Sequence, residues 1–329
     1  MTDRHSPPRV LTRRSALAGA AALAVTGGLV VPGACAGAER PPSGTRPGPT
    51  PASTPGAAPS AATVDPAGIR EIEQRHDRRV GVFAQNLQTG RTLAHRAEER
   101  FVMCSTFKTF AVGALLDRRL VTPDPRVLER RVSYPPSLVA GDIWAPATRR
   151  WLADDHQPTW REVAEAAVRD SDNGAANLVL QHIGGPEAVT RLFRDLGDPV
   201  SRLDRWEPDL STYQPGQELD TTTPRALGAS FAALALGTQL RRTERSLLLG
   251  WLRGNRTDPP FRSVLPAGWT IADKTGAGGY ATRNDVGIAW TPQDVPILVS
   301  CLTRAEVPDA ERLDAPVAEA FTVAVEALR

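Results

Sequence analysis

The hydrophobic pattern changes its period along the chain, with strand-like alternation near both ends of the folded part and helical spacing between them. The predicted strands are 79–84, 92–95, 269–274, 285–290 and 297–303. Helices are predicted before the first strand, over 67–73, and after the last one, over 310–328. The intervening stretch, from Ser105 to about Gly254, has a mostly helical pattern.

Strands from the two ends of the folded part can share one sheet only if those ends meet in space. We therefore predict an α/β (α+β) fold with two lobes and the functional site between them. One lobe, residues 65–104 and 255–329, should hold a five-stranded antiparallel sheet flanked by the N-terminal and C-terminal helices. The other lobe, residues 105–254, should be an all-helical insertion.

The first 36 residues have the pattern of an export signal. Arg13-Arg14 precede a run rich in Ala, Gly, Leu and Val that is too short for a membrane span. The pair is similar to a twin-arginine signal, and an ordinary secretory signal with two chance arginines is the alternative. Cleavage after Ala36 and lipidation of Cys35 both stay open. Residues 37–64 are mostly Pro, Ala, Ser, Thr and Gly, which predicts a disordered spacer. We therefore expect an exported protein, secreted or associated with the cell envelope, without a transmembrane span.

Composition narrows the classes of function. Of the 329 residues, 41% are hydrophobic and 23% are charged, which is ordinary for a soluble globular protein. A formal net charge of +2 without a dense basic block in the folded part gives no reason to expect nucleic acid as a partner. Five scattered histidines and three cysteines lack the spacing of a zinc site, so we expect no metal and no other cofactor.

Lysine is almost absent, which draws attention to the two lysines that remain. Of 39 basic residues, only Lys108 and Lys274 are lysine. Arginine keeps its proton in proteins, whereas a lysine amine can lose its proton when it is desolvated. Both lysines lie in short motifs, Ser105-Thr106-Phe107-Lys108 and Lys274-Thr275-Gly276. They are therefore candidates for chemistry.

Ser105 precedes a predicted helix that is apolar on every side over residues 110–116, so this helix should be buried. Lys108 follows one turn along on the same face. A buried amine beside a hydroxyl is the Ser–Lys form of an activated nucleophile. Taken alone, such a motif is more often a serine helix cap followed by a solvated lysine. The apolar flanks and the scarcity of lysine favour the nucleophile.

Two further motifs offer polar groups suited to a ligand. In Ser171-Asp172-Asn173, the serine and asparagine can present a hydroxyl and an amide to one side, while the aspartate bonds the backbone. Lys274-Thr275-Gly276-Ala277 ends a strand in small residues, which leaves a strand edge open to a ligand backbone. Its cation and hydroxyl can hold a carboxylate. Separately, the two motifs are also explained by a helix cap and a glycine turn.

Serine-x-x-lysine, then Ser-Asp-Asn, then Lys-Thr-Gly is the set found in class A β-lactamases and penicillin-binding proteins. Residues 205–210, Arg-Trp-Glu-Pro-Asp-Leu, resemble the Ω-loop of class A β-lactamases, whose glutamate drives hydrolysis of the acyl-enzyme. The chain therefore resembles class A serine β-lactamases of the actinobacterial type over residues 65–329. The resemblance implies β-lactam hydrolysis and resistance, small-molecule β-lactam substrates and a monomer.

The resemblance also implies a role for each matching residue. Catalytic roles fall on Ser105 as the nucleophile, Lys108 and Glu207 as bases, and Ser171 as the relay to the lactam nitrogen. Which base acts in acylation stays open. Substrate binding falls on Asn173, Lys274, Thr275, Gly276, Ala277, Arg283, Trp144 and Ser211. Arg205 and Asp220 are expected to form a structural pair, and the backbone N–H groups of Ser105 and Ala277 an oxyanion hole.

Two positions depart from the pattern of the family. Ser211 stands where asparagine commonly helps to position the hydrolytic water, so we expect deacylation with altered efficiency or substrate range. Cys104 precedes the nucleophile, but Gly278 stands where some carbapenem-hydrolysing members carry its partner. Cys301 belongs to a predicted strand as a buried apolar residue, so we predict no disulfide.

Two other functions share these motifs. A D-alanyl-D-alanine carboxypeptidase or transpeptidase should lack the loop glutamate that Glu207 supplies here. A penicillin-binding sensor that stays acylated is slightly favoured by Ser211, but it needs a membrane span or an effector part to carry a signal.

Overall fold

The structure, a computed structural model, describes residues 62–117 and 126–329. The predicted export signal, Cys35, and the spacer up to residue 61 lie outside the described residues. None of the helices in the described part is long and apolar enough to cross a membrane.

Strands from both ends of the folded part form one sheet, which confirms the predicted architecture. The strands are β1 (Thr63–Val64), β2 (Arg79–Asn86), β3 (Thr92–His95), β4 (Phe101–Val102), β5 (Thr221–Thr222), β6 (Thr270–Ala277), β7 (Arg283–Trp290) and β8 (Pro296–Arg304). The main sheet has the order β1-β3-β2-β8-β7-β6, and β4 pairs separately with β5. Strand β6 thus lies at an edge of the main sheet.

The main sheet has six strands rather than the predicted five. The additional strand, Thr63–Val64, falls in the segment that we assigned to the disordered spacer, and it pairs with β3 in parallel. All other pairs in this sheet are antiparallel. Thr and Val are β-branched and favour strands. The predicted spacer, residues 37–64, therefore extended one short segment too far.

Ten α-helices are found in the described part of the chain. They are α1 (Ala67–His76), α2 (Lys108–Leu116), α3 (Pro146–Ala153), α4 (Trp160–Arg169), α5 (Asn173–Ile183), α6 (Pro186–Asp195), α7 (Pro224–Leu236), α8 (Arg242–Arg253), α9 (Pro260–Ser263) and α10 (Ala315–Leu328). The closing helix begins at Ala315 instead of at the predicted residue 310. Pro316 occupies its first turn, the one part of a helix where proline fits well, and this fixes where the helix can start.

Two hydrophobic cores cover the two faces of the sheet. Helices α1, α9 and α10 cover one face, where Phe261 and Phe321 stack with ring centroids 4.6 Å apart. The other core lies among the inserted helices and includes every apolar residue of α2, whose nine residues are all buried. This burial was predicted from a helix that is apolar on every side. Helix α2 therefore holds Lys108 in a dry interior.

Candidate active site

Ser105 lies in a 3-10 turn, Cys104–Phe107, that leads directly into α2. Cys104 has φ +48°, a left-handed conformation that is unusual for a residue with a side chain and is often found at functional sites. The turn packs so closely on β6 that a Cβ at Gly276 would lie 2.8 Å from the carbonyl oxygen of Met103. Gly276 is therefore the residue that lets the nucleophile approach the strand edge.

Lys108 is fully buried and lies among acceptors. Its Nζ is 3.0 Å from Glu207 Oε1, and it donates to Asn173 Oδ1 at 2.5 Å and to the Ser171 carbonyl at 2.7 Å. The Ser105 hydroxyl donates to the same Glu207 oxygen at 3.4 Å. The structure thus brings both predicted bases and the predicted nucleophile together.

Ser171 connects the two lysines of the chain. Its hydroxyl accepts from Lys274 Nζ at 3.0 Å and from Lys108 Nζ at 3.4 Å. Ser171 has φ +53°, so this residue too is held in a rarely populated conformation. Burial and, after it, repulsion from Lys108 lower the pKa of Lys274 from 10.5 to about 7, against the attraction of buried carboxylates. Either amine is thus placed to exchange a proton with the Ser171 hydroxyl.

Asp172 fixes the middle motif in place, as its sequence context predicted. Its carboxylate accepts from the backbone N–H of Ala175 at 2.7 Å, which caps α5, and from the N–H of Ala147 at 2.8 Å, at the start of α3. Two helices are therefore joined at one buried side chain, and Ser171 and Asn173 face the cleft on either side of it.

The loop that carries Glu207 is held from two sides. Asp220 accepts from Arg205 Nε at 2.5 Å, so the predicted pair is formed. Sequence analysis missed Asn177 of α5, whose amide donates to the Glu207 carbonyl and accepts from the Glu207 N–H, both at 3.0 Å. The available signal was a polar residue inside the apolar run of α5. These contacts fix the backbone at the position of the predicted deacylating base.

A cleft of about 600 Å³ opens over these groups. Its lining includes Ser105, Trp144, Ser171, Asn173, Glu207, Ser211, Thr275, Gly276, Ala277 and Arg283, all predicted from the sequence. Trp144 is 63% exposed at the rim. The lining also includes Arg256, Thr257, Asp258 and Arg312, which sequence analysis missed. The cleft is therefore an open, polar site large enough for a small molecule.

Three arginines line the cleft, and they differ in how far the protein already pairs them. Arg283 donates to Asp314 at 2.6 Å and to the Asp258 carbonyl at 2.9 Å, while Arg256 donates to Asp170 at 3.0 Å. Arg312 makes no hydrogen bond or ion pair with any residue in the described ranges. Arg312 is thus the lining cation with the most capacity for an anionic ligand.

Backbone donors at the edge of β6 face the nucleophile. The Gly278 N–H donates to the Thr282 carbonyl, on the side of β7. Because successive N–H groups of a strand point to opposite sides, the Ala277 N–H points away from β7, along the free edge. Ser105 and Ala277 can therefore offer two donors to one oxygen atom.

Cys104 and Cys301 are both buried free thiols. Burial and, after it, the nearby Glu207 charge raise the pKa of Cys104 to about 12, against a hydrogen bond with the Ser211 side chain. Gly278 packs closely against this thiol, because a Cβ at position 278 would lie 2.7 Å from Cys104 Sγ. Within the described residues, no group of three or more His, Cys, Asp or Glu side chains could hold a metal ion.

The serine at the start of a buried helix lies beside two buried amines, a carboxylate and a free strand edge. This arrangement suits acyl transfer through a covalent intermediate. A model of the β-lactamase enzyme family matches residues 67–321. A β-lactamase of Streptomyces fradiae is 46% identical over 261 residues, which cover 79% of this chain and 85% of that protein.

Solved structures agree with this assignment. The β-lactamase from Streptomyces albus G superposes with a TM-score of 0.75 at 43% identity, covering 79% of this chain and 98% of that one. An ancestral class A β-lactamase gives a TM-score of 0.74 at 41% identity, covering 80% and 99% of the two chains. The chain belongs to the β-lactamase enzyme family, and the class A resemblance seen in its motifs is confirmed.

Proposed function

We propose that the protein hydrolyses the β-lactam amide bond of penicillins and related antibiotics through an acyl-enzyme on Ser105, and thereby confers resistance to them. The observation that carries this proposal is the position of Glu207 Oε1, which is 3.4 Å from the Ser105 hydroxyl and 3.0 Å from Lys108 Nζ. A carboxylate in that position can serve a water molecule that attacks the acyl-enzyme. A transpeptidase, or a sensor that stays acylated, does not need a carboxylate in this position.

In acylation, Ser105 Oγ attacks the lactam carbonyl carbon and gives its proton to Lys108, or through water to Glu207. The ring C–N bond then breaks, and the nitrogen takes a proton from the Ser171 hydroxyl, which is replenished by a neighbouring lysine amine. The Ser105 and Ala277 N–H groups stabilise the oxyanion, by roughly 3 kcal/mol per donor.

In deacylation, Glu207 takes a proton from a water molecule whose oxygen attacks the ester carbonyl. The bond from that carbon to Ser105 Oγ breaks, Oγ recovers a proton, and the penicilloic acid leaves. Ser211 lines the cleft in the same loop, and its hydroxyl can both donate and accept. Hydrolysis can therefore proceed without the asparagine that is common in the family.

Substrate binding uses the polar rim of the cleft. Thr275 and Arg283 line the cleft next to the buried Lys274, and these three groups would hold the substrate carboxylate. Arg312, which has no ion pair with the described residues, adds a cation to the same lining. Asn173 bonds the side-chain amide of the substrate, and Trp144 flanks it.

Glu207→Ala tests the proposal directly. Benzylpenicillin is mixed with the mature protein, turnover is followed by stopped flow, and intact mass is recorded during the reaction. Loss of the base should slow deacylation by about 10²- to 10⁴-fold, so a lasting adduct on Ser105 is expected. Asp209→Asn, which changes an exposed carboxylate in the same loop, is the matched control and should turn over normally. A wild-type protein that forms one stoichiometric, lasting adduct would instead be a penicillin-binding protein.

We also propose that residues 1–36 export the enzyme by a twin-arginine route, that 37–61 act as a spacer, and that the enzyme is secreted or held at the envelope as a monomer. Its lobes would be residues 65–104 with 255–329, and residues 105–254. Arg13-Arg14 and the apolar run behind them support export. Replacing both arginines with lysine should keep activity inside the cell, and fractionation measures this.

A further inference from the structure

The turn between β6 and β7 contains an aromatic residue in an unusual conformation. Tyr280 has φ +53°, and the next residue, Ala281, has φ +49°. The left-handed region is uncommon for residues with a Cβ, and a bulky ring there is a marked outlier. Something in the surroundings must therefore hold Tyr280 in this position.

Two side chains from other parts of the chain meet Tyr280. Its ring lies edge-on to Tyr213, with centroids 4.9 Å apart and an interplanar angle of 84°. The Arg304 guanidinium lies 4.9 Å from the centroid of the Tyr213 ring. We call Tyr213, Tyr280 and Arg304 the tyrosine clamp. Its members come from the loop after Glu207, from the β6–β7 turn and from the end of β8.

The Arg304 side chain packs against this cluster and does not extend into solvent. Its side chain is only 12% exposed, and its Nε is buried without a hydrogen-bond partner among the described residues. Its other contacts are a 2.9 Å ion pair with Glu306 and a 3.2 Å bond to the Ala305 carbonyl. A poorly hydrated cation against an aromatic ring interacts more strongly than an exposed one. The Ala305 N–H also donates to the Tyr280 carbonyl at 2.8 Å.

The clamp acts on the part of the loop that lines the cleft. Next to it, the Gly279 N–H donates to the Ser211 carbonyl at 3.0 Å. A Cβ at Gly278 would overlap that same carbonyl oxygen, so the loop and the end of β6 are in direct backbone contact. Ser211 lies only four residues after Glu207, and the segment between them ends in a 3-10 turn, Asp209–Ser211. Any shift of the loop at Tyr213 would therefore displace Glu207 and Ser211 as well.

We propose that the tyrosine clamp positions Glu207 and Ser211 for the attack of water on the acyl-enzyme. The inference rests on the deacylating role proposed above for Glu207. The Arg205–Asp220 pair holds the loop at its entry, and the clamp holds it at its exit against the strand that carries the oxyanion donor. The clamp residues do not line the cleft, so they act on deacylation through the loop. With Lys108 as the group that takes the Ser105 proton, they leave acylation unchanged.

The test compares acylation and deacylation of benzylpenicillin in Tyr280→Asn and Tyr213→Ala, by stopped flow with intact mass. Asparagine tolerates a positive φ, so Tyr280→Asn removes the ring without adding backbone strain. Because small displacements of a catalytic group cost up to about a hundredfold, we expect deacylation to fall at least about tenfold. Acylation should stay within about twofold, so KM and kcat should fall together as the acyl-enzyme accumulates.

Two controls separate positioning from a general loss of stability. Tyr213→Phe keeps the ring and should behave like the wild type. Arg225→Met removes a comparable cation–ring contact, 4.3 Å from Phe83, in which neither residue lines the cleft. A lower melting temperature with an unchanged ratio of acylation to deacylation in the clamp variants would overturn the proposal.

Glu207→Ala, measured alongside, distinguishes this failure from a failure of the proposed function. If the adduct accumulates in Glu207→Ala but not in the clamp variants, the clamp has no role in deacylation and Glu207 keeps its role. If it does not accumulate in Glu207→Ala, the proposed base is wrong and the positioning role of the clamp is overturned with it.

Discussion

The pair formed by Arg205 and Asp220 gives a quantitative test of how the catalytic loop is held. The Asp220 carboxylate is fully buried, whereas the Arg205 side chain is 23% exposed. One carboxylate oxygen accepts from Arg205 Nε at 2.5 Å, and the other accepts from the N–H groups of Asp204 and Arg205 at 2.7 and 2.9 Å. Arg205→Ala therefore leaves a buried charge with two backbone donors and without its counterion.

The size of the effect follows from this burial. Removing one partner of a buried ion pair costs about 3 to 5 kcal/mol, and the partial exposure of Arg205 favours the lower value. At roughly 2 to 4 °C per kcal/mol for a domain of this size, Arg205→Ala should melt roughly 6 to 12 °C below the wild type. Asp220→Asn keeps an oxygen for the backbone donors and removes the charge. Adding it to Arg205→Ala should therefore recover part of the loss.

Thermal unfolding of the wild type, both single variants and the double variant gives the coupling energy of the pair. Arg161→Ala is the matched control, because its 3.3 Å contact with Glu129 joins side chains that are 45% and 57% exposed. Such a surface pair should contribute less than about 1 kcal/mol to the free energy of unfolding. If the two single losses simply add, or if Arg205→Ala costs no more than the control, the argument from buried charge is wrong.

Three further predictions concern the cleft. Because the pKa of Lys274 is lowered to about 7, kcat/KM for benzylpenicillin should fall as pH rises through that value and the amine loses the proton that attracts the substrate carboxylate. Lys274→Arg keeps the charge but cannot pass on a proton, so it should remove this limb and lower kcat/KM at every pH. Arg312→Gln should raise KM by up to about fivefold with little change in kcat, and more than Arg256→Gln, whose cation is already paired. Cys104, buried and with a pKa raised to about 12, should react with Ellman's reagent only after denaturation, and fast labelling of the native enzyme would contradict this.

Most of the residues that meet around the cleft could be predicted from the sequence, because each motif keeps its chemical groups within one turn or one strand end. Ser105 and Lys108 are three residues apart, so helical geometry alone places them on one face. Asn177 was missed because its role depends on the Glu207 loop passing over α5, which is a tertiary contact. Local spacing cannot show which distant loop a single asparagine will meet.

An error in secondary structure also hid a site residue. The sequence predicts one helix over residues 310–328, a range that includes Arg312. In the structure α10 starts at Ala315, and Arg312 belongs to the preceding segment, which lines the cleft. Ala310 and Leu313 continue the helical spacing of apolar residues into this segment and favour a helix, whereas the position of Pro316 in the first turn limits how far the helix extends. The position at which this helix starts thus decided whether Arg312 could be recognised as a residue of the cleft.

The scarcity of lysine has a chemical explanation in the geometry of Ser171. The chain uses arginine wherever a cation pairs with a carboxylate at its surface, yet both of its lysines are fully buried and both contact the Ser171 hydroxyl. A guanidinium in either position would keep its charge but could not give up a proton at any physiological pH. An amine can lose its proton in a dry site, as the lowered pKa of Lys274 indicates. In the proposed mechanism, lysine therefore remains where protons must move between nucleophile, relay and leaving nitrogen.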